Sequence, residues 1–175
     1  MVTITISGTP GSGKSTVAQI LEKEAGLKCV YSGEIFRELA SKHNMSLEEF
    51  GRYCENNREV DQELDESQLK ILKNGEVILE GRLAGWLAHK NNIKAMKIMI
   101  DADIKTRAER IVKREGGDVK QREQEMLKRE ESEALRYKQY YDIDLKDISI
   151  YDIVVDSTYK TAEDIANLIL KKLKI

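Results

Sequence analysis

The 175-residue chain is poor in the residues that build specialised scaffolds, with one proline, two cysteines, two histidines and one tryptophan. Cys29 and Cys54 stand in unrelated contexts, one in an apparent strand and one in a polar helix. Neither belongs to a Cys-x-x-Cys pair, so both read as buried or idle thiols of a reducing cytosol. His43 and His89 have no partner at metal-ligand spacing and read as surface residues. No apolar run approaches the roughly 20 residues that a membrane span needs. Met1-Val2-Thr3 leads straight into a predicted strand and leaves no room for a secretory leader, so a cytoplasmic location is expected. The positive excess of a sequence-blind nucleic-acid binder is missing too, since the formal net charge is −2. Neither nucleic acid nor a membrane is an expected partner. What remains, 41% hydrophobic and 34% charged, is a soluble globular chain long enough for one well-cored domain and too short for two. Scarce proline with many Lys and Glu also fits a heat-tolerant protein.

Against that plain background one motif stands out. Residues 8 to 15 read Gly-Thr-Pro-Gly-Ser-Gly-Lys-Ser and match the phosphate-binding pattern Gly-x-x-x-x-Gly-Lys-Ser/Thr without a mismatch. Val2–Ile6 before it is β-rich and Ser15–Ala25 after it reads as a helix, which is the context the motif requires. Glycines in such a loop adopt backbone angles closed to other residues and turn successive N–H groups inward, at a helix N-terminus, into an anion-binding nest. The expected nucleotide-binding set is Gly8, Thr9, Pro10, Gly11, Ser12, Gly13, Lys14, Ser15 and Thr16. Lys14 would reach the β/γ-phosphates, and the Ser15 hydroxyl would ligate Mg²⁺. The chain is expected to bind a nucleoside triphosphate.

Five short apolar runs alternate with helical stretches: Val2–Ile6, Lys28–Tyr31, Glu76–Leu79, Ala95–Ile100 and Tyr151–Val155. That alternation predicts an α/β fold with a parallel sheet covered on both faces. Val77-Ile78-Leu79 and Ile153-Val154-Val155 are uniformly apolar, as strands buried on both sides are. Ser46-x-x-Glu49 and Thr161-x-x-Asp164 are capping-box signatures, and Asp103 is a candidate cap for a helix through Lys113. Two segments are longer and more charged than sheet-covering helices require. They are residues 32–75 and residues 103–146, the second broken near Gly116-Gly117. Ligands of such sheets sit at the carboxyl ends of the strands, where excursions of this kind form clamps and lids.

The guanine-specifying Asn-Lys-x-Asp pattern is absent, and a small phosphate-loop protein with two charged excursions suggests phosphoryl transfer to a small acceptor under a mobile lid. Arg107, Arg110 and Arg114 fall on one helix face, and Arg129, Glu133 and Arg136 on another. Arg37 and Arg82 each follow a predicted strand end, where the switch-point rule favours function over surface pairing. Guanidinium forks match phosphate oxygens bidentately and stay charged at any working pH.

These blocks together resemble the cytidylate kinases, specifically their short archaeal form. The resemblance runs through Gly8–Ser15, Ser-Gly-Glu-Ile-Phe-Arg-Glu-Leu at 32–39, Leu-Glu-Gly-Arg-Leu-Ala-Gly-Trp at 79–86 and Arg-Ala-Glu-Arg at 107–110. It continues through Arg129-Glu130-Glu131-Ser132-Glu133-x-x-Arg136-Tyr137 and Asp147–Asp152. It implies a nucleoside monophosphate kinase fold in one domain over 1–175. That fold has a five-stranded parallel sheet in the order 2-3-1-4-5, an acceptor-binding excursion at 32–75 and a lid within 103–146. It implies transfer of the ATP γ-phosphoryl to CMP or dCMP with Mg²⁺, by a monomer. Ser32 and Arg37 would lie at the acceptor nucleotide and Arg82 on its α-phosphate. Arg129 and Glu133 would approach cytosine or ribose, and Arg136 the acceptor phosphate. Arg110 and Arg114 would close over the ATP phosphates, which makes Lys14, Arg110, Arg114, Arg129 and Arg136 the expected catalytic set. Glu80, at a strand end, would orient Mg²⁺ through water. Bacterial relatives carry Asp after the arginine of the Gly-Arg block, where this chain has Leu83; Asp61 is a candidate replacement. The rival readings are a kinase of the same fold for UMP, AMP or another small acceptor, and a nucleotide-dependent switch.

Overall fold

A computed structural model of the chain describes residues 2–174. At its centre is β1 (Ile4–Gly8), every residue of which is buried. β3 (Val77–Glu80) and β4 (Met96–Asp101) flank it, β2 (Lys28–Tyr31) lies outside β3, and β5 (Ile153–Asp156) lies outside β4. All pairings are parallel, giving the order 2-3-1-4-5. This is the sheet that the alternation of apolar runs and the family resemblance imply. Ile6 faces Glu80 on one side and Ile98 on the other, so β1 and β3 deliver the phosphate loop and a carboxylate to the same edge.

The two faces of the sheet are closed differently. On one, α1 (Lys14–Ala25) and α8 (Ala162–Leu173) bring Val17, Leu21, Ile165 and Ile169 against Ile4, Ile6, Ile98 and Ile100. On the other, α4 (Arg58–Asn74) and α5 (Ala84–Lys90) set Leu72, Ala84 and Ala88 on Val77 and Leu79. Small residues on α5 allow the close approach, and the Gly85 N–H donates to Ser7 Oγ at 3.0 Å. β5 departs from the sequence expectation. Ile153 and Val155 join the core, but Val154 is 50% exposed. β5 is an edge strand, and only its inner face has a covering helix; apolar composition alone does not separate a half-covered edge from a central strand.

The remaining helices form the two excursions. α2 (Ser32–Lys42), α3 (Leu47–Asn56) and α4 occupy the first, and α6 (Ile104–Glu115) and α7 (Val119–Tyr141) the second. Both capping boxes form, at Ser46 with Glu49 and at Thr161 with Asp164, and Asp103 caps α6 by accepting from Thr106 N. α3 and α7 pack together, so the excursions touch across the carboxyl edge of the sheet. Tyr140 fixes that junction by donating its hydroxyl to the carbonyls of Cys54 and Glu55, each at 2.7 Å. Cys29 and Cys54 are both buried free thiols, and burial pushes them up to about 12 and about 11. His43 and His89 are exposed, with His43 lying near the rings of Phe50 and Tyr53.

Candidate active site

The loop from Gly8 to Gly13 leaves β1 and enters α1, whose N-cap, Gly13, has φ +90° and offers no side-chain cap. The open N–H groups of the first turn are therefore available to an anion. The loop carbonyls, by contrast, are taken up from outside. Pro10 O accepts from Arg107 Nη1 at 3.2 Å, Gly11 O from Arg110 Nη1 at 3.5 Å, and Ser12 O from Ser157 Oγ at 2.7 Å. Turning these oxygens outward rotates the peptide planes so that their N–H groups face the concave side. Gly11 is required here. Its φ is +77°, and a Cβ would sit 2.7 Å from the Arg107 carbonyl oxygen. Gly11→Ala is expected to destabilise the protein by about 1–3 kcal/mol in denaturant unfolding and to weaken ATP binding in parallel. An unaltered ATP affinity would separate the loop's shape from its function.

Lys14 folds back over the loop, donating to Thr9 O at 3.0 Å, with Glu80 at 3.6 Å. Burial lowers its pKa and the Glu80 charge opposes that, so the ammonium is held in a nearly dry position. Ser15 Oγ donates to Glu80 Oε2 at 3.3 Å, and Thr16, next on α1, is exposed. Thr9 Oγ donates to Asp101 at the end of β4, which ties the loop to a second strand. The hydroxyl of Ser15 and the carboxylate of Glu80 are hard oxygen donors of the kind Mg²⁺ takes. Among the described residues no group of three or more acidic, histidine or cysteine side chains forms an all-protein cage. A cation that keeps its waters and shares phosphate oxygens suits this pair.

A narrow cleft beside the loop is lined by Ser32, Gln68, Arg82, Glu133 and neighbouring side chains from α2, α4 and α7. Glu133 is its electrostatic centre. Oε2 accepts from Arg82 Nε at 2.5 Å and Oε1 from Arg129 Nε at 2.8 Å, so both oxygens are occupied by guanidinium groups. Burial pushes the Glu133 carboxyl up, but Arg82 and Arg129 outweigh it and hold the pKa at about 2. Arg136 is not part of this arrangement. It turns to Asp61, Nε to Oδ2 at 2.8 Å, in an ion pair without hydrogen-bond alignment, and lies near the rings of Phe36 and Tyr137. Burial raises the Asp61 pKa in spite of that partner. The face of Arg129, Glu133 and Arg136 read from helical spacing is thus split between two carboxylates on different elements. Ser32 donates to Gln68 Oε1 at 2.5 Å. Arg37 is exposed on α2, with its guanidinium folded toward Gly33.

The arginines of α6 also part company. Arg107 is buried and joins Ala102 O, Pro10 O and Glu130 of α7. Arg110 holds Ser157 as well as the loop, at 2.9 Å to Oγ and 2.7 Å to the carbonyl. Arg114 is 66% exposed and pairs with its neighbour Glu115, so this structure does not bring it to the phosphate loop. Sequence reading left out Ser157, Gln68, Asp65 and Tyr141, which carry no motif and reach the site from distant segments. It counted Arg107 in the helix face but not as a brace for the loop.

A central parallel sheet with a phosphate loop after its first strand, a lysine and a strand-end carboxylate beside it, and arginine-rich excursions over its carboxyl edge defines a P-loop kinase fold. Solved structures agree. A protein from Eubacterium ventriosum superposes with a TM-score of 0.73 at 20% identity, covering 99% of each chain. The shikimate kinase of Acinetobacter baumannii superposes at 0.61 with 17% identity, covering 99% of this chain and 93% of that one. At these identities the likeness concerns the fold. Sequence goes further. The profile of the cytidylate kinase-like family matches residues 3–159. The cytidylate kinase of Methanocaldococcus jannaschii is 45% identical over 167 residues, 95% of this chain and 94% of the relative. The chain belongs to the cytidylate kinase-like family.

Proposed function

We propose that the protein is an ATP-dependent kinase for CMP or dCMP, yielding ADP and the pyrimidine nucleoside diphosphate. One observation carries the reading beyond family membership. Glu80, the strand-end carboxylate beside Lys14 and Ser15 of the phosphate loop, stands two residues before Arg82, which joins Glu133 in the neighbouring cleft, so donor and acceptor positions adjoin. An in-line transfer needs that proximity. The acceptor is a phosphate oxygen, already anionic near neutral pH, and no strong general base is called for. Catalysis is positioning and charge stabilisation.

In this reading the loop amides and Lys14 hold the β/γ-phosphates, and Arg82 takes the acceptor phosphate. Ser15, with Glu80 through water, would hold Mg²⁺, which would supply charge neutralisation to the phosphates. Arg129 and Arg136 sit beside the acceptor, and Arg37 swings in from α2. The cleft is narrow, and side chains from both excursions, residues 32–75 and 103–146, line it. In this reading residues 32–75 are the acceptor-binding unit and residues 103–146 include a lid that closes over the nucleotides, all within one domain. Among the described residues no helix is long and apolar enough to cross a membrane.

Initial rates of ADP release with CMP, dCMP, UMP and AMP, each with and without Mg²⁺, test the reading. CMP or dCMP is expected to give the highest kcat/KM, with turnover dependent on the metal. Release of ADP independent of every monophosphate would instead mark a nucleotide-dependent switch, and a preference for AMP would mark another acceptor class.

A further inference from the structure

Two carboxylates line the acceptor cleft, Glu133 and Asp65. Glu133 has both oxygens committed to guanidinium groups. Asp65 is different. It is buried on α4, and among the described residues it makes no ion pair. Its Oδ2 accepts from the Tyr141 hydroxyl at 2.6 Å, and its Oδ1 has only a long contact, 3.5 Å, from Gln68 Nε2. Gln68 lies one helical turn on, on the same face. Its amide oxygen is fixed by Ser32, while its nitrogen makes only long contacts, 3.4 Å to Leu64 O and the 3.5 Å one to Asp65. The cleft wall thus presents one under-used acceptor and one under-used donor side by side.

We infer that Asp65 and Gln68 read the base of the acceptor nucleotide, Asp65 accepting from the exocyclic amino group of cytosine and the Gln68 amide donating to its ring N3. The inference rests on the kinase reading above and names the residues of its specificity. Cytosine carries an amino donor next to a ring acceptor, and uracil carries a carbonyl next to a ring N–H. Uracil therefore opposes this pair at both positions, oxygen to carboxylate and N–H to N–H. A site built to hydrogen-bond a group discriminates strongly against its absence, because its own polar groups are left unpaired. Adenine shares the amino–ring-nitrogen edge, so exclusion of purines falls to the walls, Leu64, Leu83 and Tyr137.

The charge state of Asp65 supplies a signature. Burial pushes its pKa up to about 7, against the opposing Tyr141 hydrogen bond. The groups that surround it are Asp61 and Glu66 on α4, Arg82 and Lys90 from the α5 side, and Glu133, Arg136 and Tyr141 on α7. When ionised, Asp65 rejects the uracil carbonyl. When protonated, it can donate to that carbonyl, and discrimination weakens. The preference for CMP over UMP should consequently grow as pH rises through about 7. Nucleotide phosphates also titrate near 6, but alike in both substrates, so that effect drops out of the ratio.

The test is the CMP/UMP ratio of kcat/KM between pH 6 and 8 in wild type, Asp65→Asn and Tyr141→Phe. In wild type the ratio is expected to rise at least about fivefold across this range. Asp65→Asn should lower the ratio at pH 8 at least about tenfold and flatten its pH dependence, with KM for ATP little changed. Tyr141→Phe removes the hydrogen bond that lowers the Asp65 pKa, so the rise should move to higher pH. A merely structural role for Tyr141 would not move it, and this variant decides the matter should Asp65→Asn not fold. A wild-type ratio independent of pH, or one unaltered in Asp65→Asn, would overturn the inference and leave the kinase reading standing. Absence of CMP turnover by the wild-type protein would overturn both.

Discussion

Lys14→Ala is expected to lower phosphoryl transfer at least about 100-fold while leaving the fold nearly as stable as before. The side chain is almost buried, pinned between Thr9 O and Glu80. Its position is over the loop where the transferring group would lie, and one preorganised donor of this kind is worth about 2.7–4 kcal/mol of transition-state stabilisation. The cost to the fold is small, because the neighbour left behind, Glu80, keeps its hydrogen bond from Ser15. Single-turnover rates at saturating ATP and CMP, with thermal unfolding as control, check both halves. Near-normal turnover in a folded Lys14→Ala protein would remove the loop from the chemistry.

The second large effect concerns the Arg82–Glu133 pair. Glu133→Ala strips a buried guanidinium of its counter-ion, and breaking a buried pair from one side costs about 3–5 kcal/mol. The contact to Arg129 adds little, since that side chain is 45% exposed and solvent screens it. Glu133→Gln should fall between the two. The expected signature is recovery by ligand. If the acceptor phosphate takes the place of Glu133 on Arg82, saturating CMP should raise the Tm of Glu133→Gln more than that of the wild type. The reverse truncation, Arg82→Ala, leaves Glu133 paired with Arg129 and should cost less stability. It should nevertheless lower kcat/KM for CMP about 100-fold with ATP binding intact. Loss of ATP affinity with CMP untouched would place Arg82 on the donor side.

The elements that the sequence foretold are those whose cause is local. A glycine-rich loop between a β-rich run and a helix, capping boxes at Ser46 and Thr161, and five apolar runs spaced by helices all follow from near neighbours, and the sheet order came with the family blocks. What could not be read is what two distant segments decide between them. Helical spacing put Arg136 beside Glu133, yet Asp61, on α4, claims it. The same spacing put Arg107, Arg110 and Arg114 on one face, but α6 is flanked by the loop at one end and solvent at the other, so the three diverge. Val154 looked buried because its neighbours are apolar, and only the position of β5 in the sheet exposes it.

The outward capture of the Pro10, Gly11 and Ser12 carbonyls has a thermodynamic corollary. A glycine-bearing loop in water samples many shapes, and arresting it on ligand arrival would draw on the affinity of the ligand. Here the arrest is completed when the chain folds, by side chains sent from α6 and from the turn after β5. Nucleotide then meets a finished cradle, and tightness of binding becomes a property of segments about a hundred residues downstream of the motif, the reach from Pro10 to Arg107. Drift in those segments would erode affinity even where the signature itself stays letter-perfect, so a matching phosphate-loop string is not by itself a guarantee of a working one.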